Sequence, residues 1–555
     1  MSDDKRLYKD LKRLAFNSKL FAYGSLLFAF CSMLLALRSW LYVLCCLLVF
    51  MVGCASVSEQ AQVTDYPDQN TGQLTIYLNG PERSSLDIKF EISAISIMSE
   101  NGVYREIMSK PLNIGSLKMV SRQILLTETY LPEGKYTKLK FTVKQAIIYR
   151  KDRMANLSLP RDGFEIPLNI AITKNQNTTL FLKWDADTSI VEGYRFNPAL
   201  TVKTTRPELS TLLIYVTNED SNNVSVINRQ TDEVISTILV GKKPRGIAIG
   251  MRRQHLRIYV ANSGSNSISV IDPTTNKVET EIPVRFGRQL EGIAVATVSP
   301  EREFIFVTNY GSNTLSVIDA LTYQETERIN VGNGPIAVEA DPHVETLLSA
   351  KFLSIESLNI LKGFREKFFN VYVANRNSKE ITVLRFDKTT GRFVDSQNLN
   401  IEWNPIAIEV DYQRGKVYVA NYGFDNLSVI DIVELIKGNK TSAVRTISGV
   451  GHSNTGVVSD PSLDRIYLLK ETPGEIMIIR PSLEDQSPVK TVIPIISTIP
   501  VGMSPRTLKL DPEARKLYVV NRGSDNITVI DKTTRREEKI IPVGRKPYGI
   551  SIIPF

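Results

Sequence analysis

Three histidines, His255, His343 and His452, stand far apart in the chain, and the four cysteines, Cys31, Cys45, Cys46 and Cys54, all fall within its first tenth. That supply excludes a Cys-ligated zinc site, an iron–sulfur centre, a C-x-x-C-H haem attachment or a disulfide framework for everything beyond Cys54. Neither a G-x-S-x-G elbow nor an H-E-x-x-H helix occurs. Scattered carboxylates, Glu291, Glu339, Glu402 and Glu409, are the one conceivable metal set, and no ligand spacing joins them. The expectation is therefore no catalytic residue, no metal and no cofactor. Cations are more suggestive: Lys242, Lys243, Arg245, Arg285, Arg288, Arg506, Arg545 and Lys546 cluster in short loops and would draw an anion if the fold gathers them. The overall surplus of 67 Lys+Arg over 59 Asp+Glu is small for 555 residues and does not imply a nucleic-acid partner.

The N-terminus has the layout of an export signal. Arg38 precedes the apolar run Leu41 to Val52, and Gly53, Cys54, Ala55 and Ser56 close it. Met51-Val52-Gly53-Cys54 resembles a bacterial lipobox, with Cys54 as the lipidated residue and a lipid anchor as the membrane attachment. An upstream apolar run, Leu20 to Leu37, is foreign to such a signal. Reading the start at Met33 removes it; the alternative is a transmembrane hairpin partner in residues 1–37. Residues 1–54 are thus the signal region and 55–70 a polar linker. Ala55 and Ser56 lack the Asp that marks inner-membrane retention, which favours the outer membrane within the cell envelope.

Residues 71–205 alternate apolar and polar positions in short runs, such as Leu74 to Leu78 and Thr179 to Trp184, separated by Gly, Pro and Asn. Period two without a helical period predicts antiparallel strands. The opening Gly72 to Leu78, the turn Leu131 to Tyr136 and the closing Tyr194 to Pro198 resemble an uncharacterised family of bacterial lipoprotein domains, implying an Ig-like or transthyretin-like β-sandwich without an assigned activity.

Residues 206–555 repeat. Tyr215-Val-Thr-Asn218 with Val224-Ser-Val-Ile-Asn228 recurs as Tyr259 to Asn262, Phe306 to Asn309, Tyr372 to Asn375, Tyr418 to Asn421, a degenerate Tyr467 to Lys470, and Tyr518 to Asn521. Seven such units resemble the YVTN repeat family, to which surface-layer and lactonase-like propellers are related, and imply a seven-bladed β-propeller. The whole chain is then all-β. Each unit reads as an inner strand of the Pro244-Arg-Gly-Ile-Ala248 kind, the Tyr-Val strand, the Ser-Val-Ile-Asp strand and an outer strand ending before Val-Gly. The first unit lacks an inner strand and the chain ends with one, Pro547 to Phe555, so tail should pair with head.

On this fold the cations named above lie in loops of the top face, as a candidate anion site. Long insertions fall on the opposite face: His343 to Phe368, Ile432 to Ser442 and Pro481 to Lys490. The first has the spacing of an amphipathic helix and offers Phe352, Ile355 and Phe364 as a candidate partner-docking set; the plainer alternative is that its apolar side caps the repeats. The favoured function is a non-enzymatic envelope lipoprotein that binds a protein, glycan or other anionic ligand. A periplasmic lactonase- or lyase-like enzyme and a structural or adhesive surface protein are the alternatives.

Overall fold

The computed structural model describes residues 70–108, 110–151, 153–204, 212–252, 255–342, 352–481, 495–511 and 515–554. The expected signal region with Cys54 and the expected linker up to residue 69 lie outside them, as do His343, residues 344–351 and residues 482–494. Among the described residues no helix is long and apolar enough to cross a membrane.

From Leu213 to Ile552 the described strands form seven four-stranded antiparallel sheets. Sheet 2 shows the pattern: Pro244–Arg252, His255–Asn262, Ser267–Asp272 and Lys277–Pro283, in that order. Sheets 3 to 7 repeat it, with inner strands Leu290–Ser299, Pro335–Ala340, Pro405–Asp411, Asn454–Asp460 and Pro505–Leu510. Sheet 1 takes its inner strand from the other end of the chain. Pro547–Ile552 pairs with Leu213–Asn218 through Ile214↔Ile552, Tyr215↔Ser551 and Val216↔Ile550. The inner strands lie side by side in cyclic order, that of sheet 7 beside that of sheet 1, and that of sheet 1 beside that of sheet 2.

The repeated residues explain the repeated geometry. Asn262, fully buried, donates from Nδ2 to Ser267 Oγ (3.2 Å) and Ser269 Oγ (2.9 Å), which fixes the reversal between the second and third strands. Asn218, Asn309, Asn375, Asn421 and Asn521 make the same reach to a hydroxyl seven residues on. A glycine preceding six of the seven inner strands, absent only before Pro405 where Glu402 stands, is the other half of this device: a Cβ on Gly241 would stand 2.5 Å from the Asn262 amide. In sheet 6 Lys470 replaces the Asn, so the degenerate unit keeps its strands while losing the lock.

Residues 71–203 form two further sheets. One contains Thr71–Asn79, Gln123–Pro132, Asn177–Asp185 and Ala199–Lys203; the other is built on Asp87–Ser99 and Gly134–Arg150. Leu74, Ile76 and Leu78 from the first and Ile88, Ile95 and Phe141 from the second share one core with Trp184.

The Thr71–Asn79 strand is buried on both faces, which period two does not suggest. Gln73, Thr75, Tyr77 and Asn79 turn towards sheet 1 and are sealed there. Gln123 completes the outer edge of that sheet as a strand would: its Nε2 donates to Val234 O (3.0 Å) and its Oε1 accepts from Val234 N (2.9 Å). Thr179 Oγ1 accepts from Thr237 N (3.1 Å), and Tyr77 stacks on Phe181 beside Ile214 and Tyr518. An exposed strand edge invites pairing with other chains, and here the N-terminal sheet covers it. The two parts are therefore packed together rather than strung as beads.

The insertion between Ala340 and Phe368 holds the helix Ile355–Lys367, capped by Ser354 Oγ accepting from Ser357 N. Leu361 is buried, and Leu358 packs on the same core as Val433 from the short helix Ile432–Ile436. Arg365 anchors it through Asp341 (3.2 Å), both side chains nearly inaccessible.

Candidate functional site

The seven inner strands make the site, because each carries the same irregularity. The residue before the strand, Lys243, Gln289, Gly334, Asn404, Ser453, Ser504 or Lys546, has φ between +44° and +65°. The first strand residue then pairs with the repeat's terminal position, as Pro335↔Asn375 and Pro405↔Asn421, and the register slips before the third. The same slip occurs in the other five sheets. The second residue is the extra one of a β-bulge, a device that re-aims a side chain. Those second residues are Tyr548, Arg245, Glu291, Ile336, Ile406, Thr455 and Arg506 in sheets 1 to 7, and all line one funnel of about 1090 Å³.

The polar members of this collar are linked. Tyr548 hydroxyl donates to Glu291 Oε2 (3.0 Å) and accepts from Arg506 Nη2 (2.7 Å). Arg245 pairs with Glu291 on one side and Glu219 (2.7 Å) on the other, and Glu219 also holds Arg522 (2.8 Å). Arg245 and Arg506 flank the Tyr548 ring. Burial raises the Glu291 carboxyl above its ordinary value, against the pull of Arg245 and Arg506. For Glu219 burial pushes upward too, but Arg522 and Arg245 outweigh it and hold it low. Among the described residues the hydrogen bonds of Arg506 go to neutral groups, the Tyr548 hydroxyl and Thr455 O (3.3 Å), while Glu291 feels its charge from farther off.

Of the cations expected in an anion site, Lys243, Arg245, Arg288 and Arg506 line the funnel. Lys242, Arg285, Arg545 and Lys546 do not. Lys546 pairs with Asp220 (2.6 Å), and Arg545 Nη2 donates to Asp220 O (3.2 Å). Two further cations, Arg376 and Arg522, complete the lining beside Tyr310, Tyr422 and Glu471. They occupy the position directly after the Asn that ends the Tyr-Val strand, and that spacing is the signal that would have found them.

Below the collar lies a second chamber of about 1040 Å³. Its upper layer, the third residue of each inner strand, is Gly549, Gly246, Gly292, Ala337, Ala407, Gly456 and Thr507. A Cβ on Gly246 would lie 2.4 Å from Glu291 O of the next sheet, so these small residues admit close approach of neighbouring strands. Two positions on comes a layer whose members each pair with the repeat's aromatic residue, as Glu339↔Tyr372, Glu409↔Tyr418 and Lys509↔Tyr518. Ser551, Ala248, Ala294 and Val458 complete it. Burial pushes the Glu409 carboxyl up to about 7; Lys509 opposes the shift and Glu339 adds to it. Glu339 is raised by burial as well, again against Lys509.

A carboxyl raised on folding makes the native state hold a proton that the unfolded chain has released. Stability is then lost as pH climbs from the ordinary carboxyl range to about 7. Glu409→Gln should melt above the wild type at pH 8 and level with it at pH 5; parallel melting profiles would refute the assignment.

The candidate docking residues are not brought together. Phe352 lines the lower chamber under Arg414, 4.5 Å from the ring centroid. Ile355 stands 81 % exposed, and Phe364 packs on Phe368 and Arg385. The helix thus turns Leu358 and Leu361 to the repeats, as in the capping alternative. Among the described residues no three His, Cys, Asp or Glu side chains are grouped to hold a metal ion.

No curated protein matches this chain. Hydrazine synthase of Kuenenia stuttgartiensis is similar in structure, with TM-score 0.45 and 17 % identity over 59 % of this chain and 94 % of that one. A functionally unknown protein from Desulfotomaculum acetoxidans DSM 771 gives TM-score 0.46 and 11 % identity over 61 % and 98 %. Dihydro-heme d1 dehydrogenase NirN, solved in complex with DHE, gives 0.43 and 14 % over 63 % and 78 %. Residues 71–198 match the family model of a domain of unknown function, DUF4382.

Proposed function

We propose that this chain is a non-enzymatic binding protein whose funnel takes an anionic ligand, carried on a closed seven-bladed YVTN-type propeller with a β-sandwich covering its first blade. Seven sheets in cyclic order, and a last strand paired with the first, support the propeller reading. Two sheets around one core support the sandwich. The sequence at Cys54 supports a lipid anchor and residence at the cell envelope, favouring the outer membrane.

One observation carries the binding reading: seven bulges aim seven side chains at one funnel, where cations outnumber their partners. Among the described residues Lys243, Arg288 and Arg376 have no ion pair, and Arg506 has no carboxylate within ion-pair distance. A concave site with one sign of charge raises the local concentration of the opposite ion. Tyr310 and Tyr422 add flat hydroxyl-bearing rings to the wall, suited to sugars with acidic groups.

Titration calorimetry with an acidic oligosaccharide at low salt tests this. The wild type should bind, and the triple variant Lys243→Ala, Arg288→Ala, Arg376→Ala should bind about tenfold more weakly, with the wild-type affinity falling as salt is added. Equal affinity of the two proteins would refute the funnel as the site. Arg245 is left intact in this design because its two carboxylate partners make it part of the fold.

A further inference from the structure

We propose that the lower chamber binds a second ligand, a small molecule with the charge pattern of a basic amino acid, two amino groups and one carboxylate, held by Glu339, Glu409 and Lys509.

The three charges share one level of the chamber, since each stands opposite the aromatic residue of its own repeat. They come from sheets 4, 5 and 7. On the other side of the same level sheets 1 to 3 offer only Ser551, Ala248 and Ala294, so space is left where three side chains could have met the charges. Among the described residues none of the three comes within ion-pair distance of another, although Lys509 and the two glutamates act on one another through space. Glu409 Oε1 accepts from Ser459 N (3.2 Å), whereas Glu339 and Lys509 have no hydrogen bond among the described residues. The two carboxylates and the ammonium feel one another's charge across the chamber without closing an ion pair, and half-buried charges left short of direct contact are open to a ligand that pairs with each of them.

The pattern of the charges selects the ligand. Two carboxylates and one ammonium complement two amino groups and one carboxylate one for one. A dicarboxylate would meet both glutamates, and an apolar compound would leave all three groups unpaired. Nor is Lys509 placed to attack a carbonyl, since Glu339 and Glu409 hold its ammonium protonated despite its burial. The chamber is reached from the side opposite the funnel, where Phe352, Gln413, Pro461 and Ser462 line it. Three strand residues, about 10 Å, separate this level from the collar. The inference uses no residue of the proposed anion site and stands or falls apart from it.

Calorimetry on the full chain with L-lysine is the test, with L-norleucine and L-glutamate as comparators. Lysine should bind, norleucine about tenfold more weakly, and glutamate not at all. At pH 7 binding should release protons, because a bound amino group ionises Glu409; repeating the titration in buffers of different ionisation enthalpy counts them. Glu409→Gln should weaken lysine about tenfold and abolish that release. Absence of lysine binding, or undiminished affinity in Glu339→Gln and Glu409→Gln proteins that melt cooperatively, would overturn the proposal.

Discussion

A chain shortened to end at Lys546 is expected to lose its cooperative melting transition and to self-associate. The removed segment supplies the inner strand of sheet 1, and with it the buried Ile550, Ile552 and Ile553. Ile553 also accepts at its carbonyl from Arg229 Nη1 (3.2 Å), and its N–H donates to Leu213 O (3.1 Å). Burial of three such side chains is worth on the order of 5 kcal/mol, a large share of the net stability of a folded domain. The loss is more than additive. It bares the edge of Leu213–Asn218, a strand with every residue buried, and an uncovered apolar edge pairs with the next chain. Calorimetric melting and size-exclusion chromatography read both effects; a truncated protein that melts at the wild-type temperature as a monomer would count against the closing role of this strand.

Arg365→Met should cost nearly as much from a single side chain. Arg365 and Asp341 are 5 % and 0 % exposed, and removing one partner of a buried pair leaves the other charge uncompensated, at about 3–5 kcal/mol. Two further contacts go with it: Arg365 Nη2 donates to Pro342 O (2.6 Å), and the guanidinium lies over the Tyr412 ring. Asp341 also accepts from Asn370 N (2.7 Å), so its disturbance reaches the strand that follows the helix. The pH dependence identifies the cause. Burial already raises the Asp341 carboxyl, with Arg365 as the main restraint. Without Arg365 it should protonate well before the ordinary range is reached, so the penalty measured by chemical denaturation should shrink as pH falls from 8 to 5. A deficit of constant size across that range would point instead to lost packing around the helix.

The repeat was legible because its information is local. Asn262, its hydroxyl partners Ser267 and Ser269, and Gly241 lie within thirty residues of one another, and each has a distinct packing or hydrogen-bonding task. The pairing of Pro547–Ile552 with Leu213–Asn218 was legible for a different reason: one unit lacked the strand that another had in excess. The seat of the N-terminal sheet on sheet 1 was not legible, because Gln73, Thr75 and Asn79 are polar at alternate positions, the usual mark of a solvated face. Here that polarity satisfies the outer edge of sheet 1 and the turn before its third strand, with Gln73 Nε2 donating to Ser221 O (2.9 Å).

The site was half legible. Arg245, Arg288 and Arg506 stood out as cations near a tight turn, but composition could not separate them from Arg545 and Lys546, which are engaged with Asp220. What separates them is the bulge, a property of backbone register. Glu339, Glu409 and Lys509 were visible as charges beside inner strands, yet only the shared register with Tyr372, Tyr418 and Tyr518 puts them at one level.

The most direct test of the account is a designed cross-link between the two ends of the repeat region. Cysteines in place of Val216 and Ile550, in a chain with Cys31, Cys45, Cys46 and Cys54 changed to Ser, stand at partnered positions of antiparallel strands, within the span a disulfide bridges. Mild oxidation followed by proteolysis and mass spectrometry should recover the peptides around 216 and 550 joined to each other within a monomer. Recovery of that link only between two chains, or of neither link, would mean that the ends do not meet and that the funnel and chamber between the inner strands are not enclosed.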